Sequence, residues 1–119
     1  MHASKNIIVD LTFQFSLDII SYTNELEQLR KYAVANQLLR SGTSIGANVR
    51  EAQAAQSRRD FIHKLKISEK EMEETEYWLA LCKNSPSLLD PGKLETDLGN
   101  IKRVLGKILG TSYRNGYAK

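Results

Sequence analysis

A chain of 119 residues with 41% hydrophobic and 26% charged residues is sized for one hydrophobic core and excludes wholesale disorder. No apolar run approaches the roughly 20 residues that span a bilayer, and the single cysteine, Cys82, excludes an internal disulfide framework. The net charge of +3 is unevenly held: residues 1–97 carry 12 Lys and Arg against 14 Asp and Glu, while residues 98–119 carry Lys102, Arg103, Lys107, Arg114, Lys119 and no acid.

That basic end suits nucleic acid or an acidic partner. It equally suits cations gathered at the negative end of a last helix. The first six residues lack a basic segment, apolar core and cleavage site, so no secretory signal is read. With the lone cysteine, this gives a cytoplasmic expectation.

The spacing predicts a first helix over 6–30, with Ile8, Leu11, Phe15, Ile19, Tyr22, Leu26 and Leu29 on one stripe. Phe13, Leu17 and Ile20 fall outside it. A second helix is predicted over 31–55, with Val34, Leu38, Ser41, Ile45, Val49 and Ala52 inward and Asn48 at the edge. Its other side carries Leu39, Gly42 and Gly46. Each glycine costs up to about 1 kcal/mol against Ala inside a helix. Close backbone approach by a neighbour offsets that cost, and a kink or break is the alternative.

Ser57 is placed as an N-cap. A third helix follows, ending near residue 84, with Phe61, Leu65, Ser68, Met72, Thr75, Leu79 and Cys82 inward. Ile67, Trp78 and Leu81 lie on its other side. Residues 85–92 hold both prolines and read as a loop. A fourth helix is predicted over about 91–112, with Leu94, Leu98, Ile101, Leu105 and Ile108 inward. Residues 1–112 thus make one bundle domain and 113–119 a tail.

Four amphipathic helices with mostly tight connections predict an all-α, antiparallel up-down four-helix bundle. A monomeric bundle needs one apolar stripe per helix, and three helices here carry a second apolar or small-residue side. The surplus predicts a homo-oligomer. Leu39, Gly42, Gly46, Asn48, Glu51, Ile67, Trp78 and Leu81 are the packing or subunit-contact candidates. Asn48 is expected to bond between helices, and Glu51 to pair with Arg58, Arg59 or a neighbouring subunit.

The chemistry of catalysis is sparse. There is no phosphate-binding glycine loop, and one cysteine with two histidines falls short of a zinc site. Cys82 reads as a small buried hydrophobe. Glu69, Glu73 and Glu76 share one side of the third helix. They read as a solvated face supported by Lys66 and Lys70, with a metal site or a partner's arginines as the alternatives. No cofactor is called for, and the chain reads as non-enzymatic. Segment 57–70 holds five bases against two acids.

Gln37-Leu38-Leu39-Arg40, then Ser44-Ile45-Gly46-Ala47-Asn48-Val49-Arg50-Glu51-Ala52, Phe61 to Leu65, and Ser68-Glu69-Lys70-Glu71-Met72-Glu73-Glu74-Thr75 carry a family resemblance. The chain resembles the four-helix bundle proteins also called 23S rRNA intervening-sequence proteins, and is similar to the accessory variability protein of diversity-generating retroelements. The resemblance implies a homopentameric ring, with no established catalytic residues. For retroelement members it implies RNA or DNA binding and a reverse transcriptase as partner.

The resulting expectation is an oligomeric scaffold that holds RNA or DNA against Arg40, Arg50, Arg58, Arg59, Lys102, Arg103 and Lys107. The alternative is a protein-interaction module without nucleic-acid affinity, working through the acidic third helix or the oligomer rim.

Overall fold

The computed structural model describes residues 6–114, with side chains as far as Ser112. Four helices form: α1 (Ile7–Gln28), α2 (Tyr32–Gln53), α3 (Arg58–Asn84) and α4 (Leu94–Arg114). Among the described residues there is no strand. The glycine-rich stretch of α2 is continuous helix, and the strand-like alternation around Phe13 sits inside α1. The last helix runs two residues into the expected tail, the rest of which lies outside the described residues.

The helix ends follow local chemistry. After α1, Arg30 takes φ 63°, Arg30 N–H returns to Glu27 O at 2.8 Å, and Lys31 N–H to Leu26 O at 2.9 Å. This pair of bonds closes the helix C-terminus in a position that glycine usually fills. Leu29 therefore leaves the expected stripe: it is 52% exposed because the helix stops at Gln28 and the chain turns away. Ser57 caps α3 as expected, its hydroxyl accepting from Asp60 N–H at 3.0 Å. The loop before α4 is tied down by the Tyr22 hydroxyl, which donates to Leu89 O. Asp90 then accepts from Gly92 N–H at 2.9 Å, where Gly92 takes φ 61°.

Each helix packs on its sequence neighbours and α1 also packs on α4, while the diagonal pairs stay apart. Contacts across the seams give the direction. Ser41 meets Thr75 and Ile45 meets Ser68 between α2 and α3, and Lys102 meets Glu76 between α3 and α4. Asn6 meets Gln53 between the start of α1 and the end of α2. Neighbours therefore run antiparallel.

One layer of Phe15, Ile19, Leu38, Ile45, Leu65, Met72, Leu79, Leu98, Ile101 and Leu105 fills the centre. Each such side chain contributes about 1.5–3 kcal/mol when fully buried. Four stripe positions are off by one residue, a rotation of about 100°. Thr12 is buried in place of Leu11, Ala35 in place of Val34, Ile62 in place of Phe61, and Leu109 in place of Ile108; the residues they replace are half-buried.

The small residues of α2 face α1 of the same chain. A Cβ on Gly42 would stand 3.0 Å from Ile19, and one on Gly46 would stand 3.1 Å from the Thr12 carbonyl oxygen. On the α3 side, Ser68 donates to Ile45 O at 3.0 Å and Thr75 to Ser41 Oγ at 2.9 Å. Short side chains let the backbones of α1, α2 and α3 approach closely, and their hydroxyls are satisfied at the contact.

Candidate functional site

The start of α1, the end of α2, the start of α3 and the end of α4 meet at one end of the bundle. Arg50, Arg58, Arg59, Lys64, Lys66 and Lys107 lie toward this end, against Asp10, Glu51 and Asp60. The opposite end holds Glu25, Glu27, Asp90, Glu95 and Asp97 with Arg30, Lys31, Lys83 and Lys93. The fold thus adds the start of α3 to the basic C-terminal segment, sharpening the charge asymmetry of the sequence.

The seven basic candidates separate into two groups. Arg40 reaches from α2 to Glu71 and Glu74 of α3. The Arg40 hydrogen bond, followed by one from Trp78 Nε1–H, holds the Glu74 carboxyl below its usual range. Lys102 reaches from α4 to Glu76 at 3.0 Å and Glu73 at 3.4 Å, and these acids push its ammonium pKa up. These two cations lace α3 to its neighbours and are not free for a ligand.

Arg103 donates to Asn100 Oδ1 at 3.0 Å from near mid-height on α4. The Arg50 guanidinium lies 5.7 Å from the centre of the Phe13 ring, where the ring face attracts it. Arg58, Arg59 and Lys107 are exposed and have no ion-pair partner among the described residues.

The acids of α3 are engaged in the same way. Besides the pairs above, Lys66 holds Glu69 at 2.9 Å. Among the described residues, no three His, Cys, Asp or Glu side chains converge as a metal site would require. Glu51 pairs with Lys64 at 3.0 Å, not with Arg58 or Arg59; Lys64 lies about one and a half turns further along α3. That ion pair pushes the Lys64 ammonium pKa up.

Asn48 donates to Ser44 O of its own helix at 2.9 Å and makes no bond between helices among the described residues. Its side chain is half-buried at the outer edge, where the preceding turn of α2 is the nearest acceptor. The expected cross-helix polar contact is made instead by Ser41 and Thr75.

Among the described residues, large apolar side chains are exposed on two helix faces, besides Ile7, Leu29 and Tyr32 at helix ends. On α1, Phe13, Leu17 and Ile20 are 53%, 45% and 40% exposed and recur at spacings of four and three, one stripe beside α2. On α3, Tyr77 and Leu81 are exposed. Tyr77 packs edge-on against Trp78 with ring centres 5.6 Å apart. Trp78, Leu39 and Ile67 are half-buried and cover the core edge. Tyr77 was missed at the sequence level, since a tyrosine on the polar side of a glutamate-rich helix gives no periodic signal.

Among the described residues, Tyr22 and Cys82 form a buried ionisable pair. Burial, then the contact with Cys82, pushes the Tyr22 hydroxyl pKa up, and burial pushes up that of the Cys82 thiol. The thiol stays protonated, consistent with its reading as a small core residue and opposite to what a nucleophile needs.

Four helices closed into one set by the α1–α4 contact define a small α-helical bundle protein. The family described as 23S rRNA-intervening sequence protein matches residues 4–107, and the chain belongs to that family. It is similar to a crystal structure of a protein of unknown function from the S23 ribosomal protein family of Bacteroides thetaiotaomicron VPI-5482. That similarity has a TM-score of 0.81 and 40% sequence identity over 86% of this chain and 97% of that one. None of the curated proteins matches. No helix among the described residues is long and apolar enough to cross a membrane.

Proposed function

We propose that this chain is a non-catalytic, cytoplasmic assembly protein. Copies associate through their outer apolar surfaces into a ring of five and hold RNA or DNA against basic residues at one end of each bundle. The observation that carries the reading is the division of the cations. Arg40 and Lys102 are taken by acids of α3, while Arg58, Arg59 and Lys107 have no ion-pair partner among the described residues and lie toward the end that also holds Arg50. Repeated around a ring, such a set gives a positive field whose affinity for phosphates grows with each contact and falls with salt.

The stripe of Phe13, Leu17 and Ile20 supports association, because large apolar side chains at helical spacing on an outer face are rarely left to water. Light scattering on the eluting protein tests it: an oligomer is expected, Leu17→Glu with Ile20→Glu is expected to yield monomer, and a monomeric native chain would sink the assembly. Anisotropy of a labelled structured RNA tests the second half. Binding at low salt is expected to weaken in Arg58→Gln with Arg59→Gln and to persist in Arg40→Gln.

A further inference from the structure

Beside the start of α3, Ala52, Gln53, Ala55, Ser57, Arg58, Phe61 and Ser112 line a cleft of about 400 Å³. Three features converge there. The first is the N-terminus of a 27-residue helix, where Ser57 Oγ takes the Asp60 amide and Ser57 O takes the Phe61 amide. The Arg58 and Arg59 amides are left without acceptors among the described residues, and the positive end of the helix dipole is open. The second is the Arg58 side chain, exposed and free of ion pairs among the described residues.

The third points to a ligand independently of the helix end. Of the buried hydroxyl side chains, Thr12, Thr23, Ser41, Ser68 and Thr75 all hydrogen-bond within the protein. Ser112 is only 8% exposed and has no partner among the described residues. A helical serine ordinarily bonds back to the carbonyl four residues earlier, as Ser16 and Ser44 do here. A buried hydroxyl without a partner is costly, and a ligand oxygen in the cleft would satisfy it.

We propose that this cleft is a phosphate site, taking one phosphate through the Arg58 guanidinium, the Arg58 and Arg59 amides and the Ser112 hydroxyl. The surrounding groups do not compete. Gln53 is already engaged, donating to Val49 O and accepting from Asn6. Asp60 follows Arg58 by two residues, about 200° around the helix, on the side of Lys64, whose ammonium pKa it helps to raise. Phe61 and the two alanines give an apolar wall that accommodates the sugar or base next to a phosphate. The inference deepens the nucleic-acid reading above by assigning one positioned phosphate contact within an otherwise diffuse field.

The experiment uses the full chain in two arms. In the first, inorganic phosphate is titrated into labelled protein and amide resonances are followed. Saturable shifts are expected at Arg58, Arg59 and Ser112, weakened about tenfold in Arg58→Gln and several-fold in Ser112→Ala, and unchanged in Arg103→Gln. Absence of saturable shifts at these residues, or equal shifts in Ser112→Ala, would overturn the site. In the second arm, short RNAs with a 5′-phosphate or a 5′-hydroxyl compete for the site. Preference for the phosphorylated end identifies a terminal phosphate as the source, and equal competition an internal phosphodiester. RNA binding lost in Lys107→Gln but untouched in Arg58→Gln and Ser112→Ala would overturn the site while leaving the basic-end reading. Phosphate shifts without any RNA binding would do the reverse.

Discussion

Replacing single glycines by alanine separates the close helix contact from plain helix propensity. Alanine at any of these helical positions gains up to about 1 kcal/mol of propensity. At Gly46 the added Cβ would stand 3.1 Å from the Thr12 carbonyl oxygen and 3.2 Å from Ser16 Oγ. The carbonyl belongs to the α1 backbone and cannot rotate away, so overpacking of roughly 1–3 kcal/mol opposes the gain. At Gly99 and Gly106 nothing lies within 4 Å of the added atom.

Gly99→Ala and Gly106→Ala should therefore raise the melting temperature by about 2–4 °C, and Gly46→Ala should lower it by about 4 °C. Gly42→Ala should lower it as well, because Cγ1 and Cγ2 of the β-branched, fully buried Ile19 would stand 3.0 Å from the added atom. Thermal unfolding followed by circular dichroism at one fixed protein concentration reads all four. A Gly46→Ala protein stabilised as much as Gly106→Ala would refute a close α1–α2 seam.

Three further outcomes follow from the interior and the seams. Thr75→Val leaves the Ser41 hydroxyl buried without its partner and should cost about 1–3 kcal/mol in urea unfolding; a neutral change would contradict the buried bond. The Glu74 carboxyl is held low by Arg40 and Trp78. Its contribution is full above the ordinary glutamate range and is lost as pH falls through the lowered value. Glu74→Gln should thus flatten the loss of stability below about pH 4.5, and an unchanged acid limb would argue against the pairing. Cys82 is 1% exposed with a raised thiol pKa, so a thiol reagent at pH 8 should label it only at the rate of unfolding; rapid labelling of the native protein would contradict its burial.

How far the sequence carried depended on which interactions are local. The cap at Ser57, the end of α3 near residue 84 and the proline loop were legible, because each is decided within a few residues. The exposed stripe of Phe13, Leu17 and Ile20 was legible from periodicity alone. The one-residue shifts at Thr12, Ala35, Ile62 and Leu109 were not. Adjacent residues satisfy a 3.6-residue repeat almost equally, Thr12 is buried with its hydroxyl bonded back to Ile8 O, and helix rotation is settled by the facing helix.

Arg40 and Lys102 looked like free cations because their acids lie 31 and 26 residues away, across a seam that only the bundle creates. The cleft at Ser112 was invisible for the same reason: it joins α4 to the α2–α3 turn. The glycines of α2 identified a contact side, and only the fold assigned it to α1.

The salt dependence of RNA binding tests the central claim most directly. Affinity of the native chain should fall linearly with salt on logarithmic axes, and each lost phosphate contact should reduce the slope by about 0.7–0.9. Arg58→Gln with Arg59→Gln should therefore bind more weakly with a slope shallower by about 1–2, while Arg40→Gln, its guanidinium held by Glu71 and Glu74, should match the native protein. No binding at low salt, or a slope that changes with Arg40 and not with Arg58 and Arg59, would contradict the account.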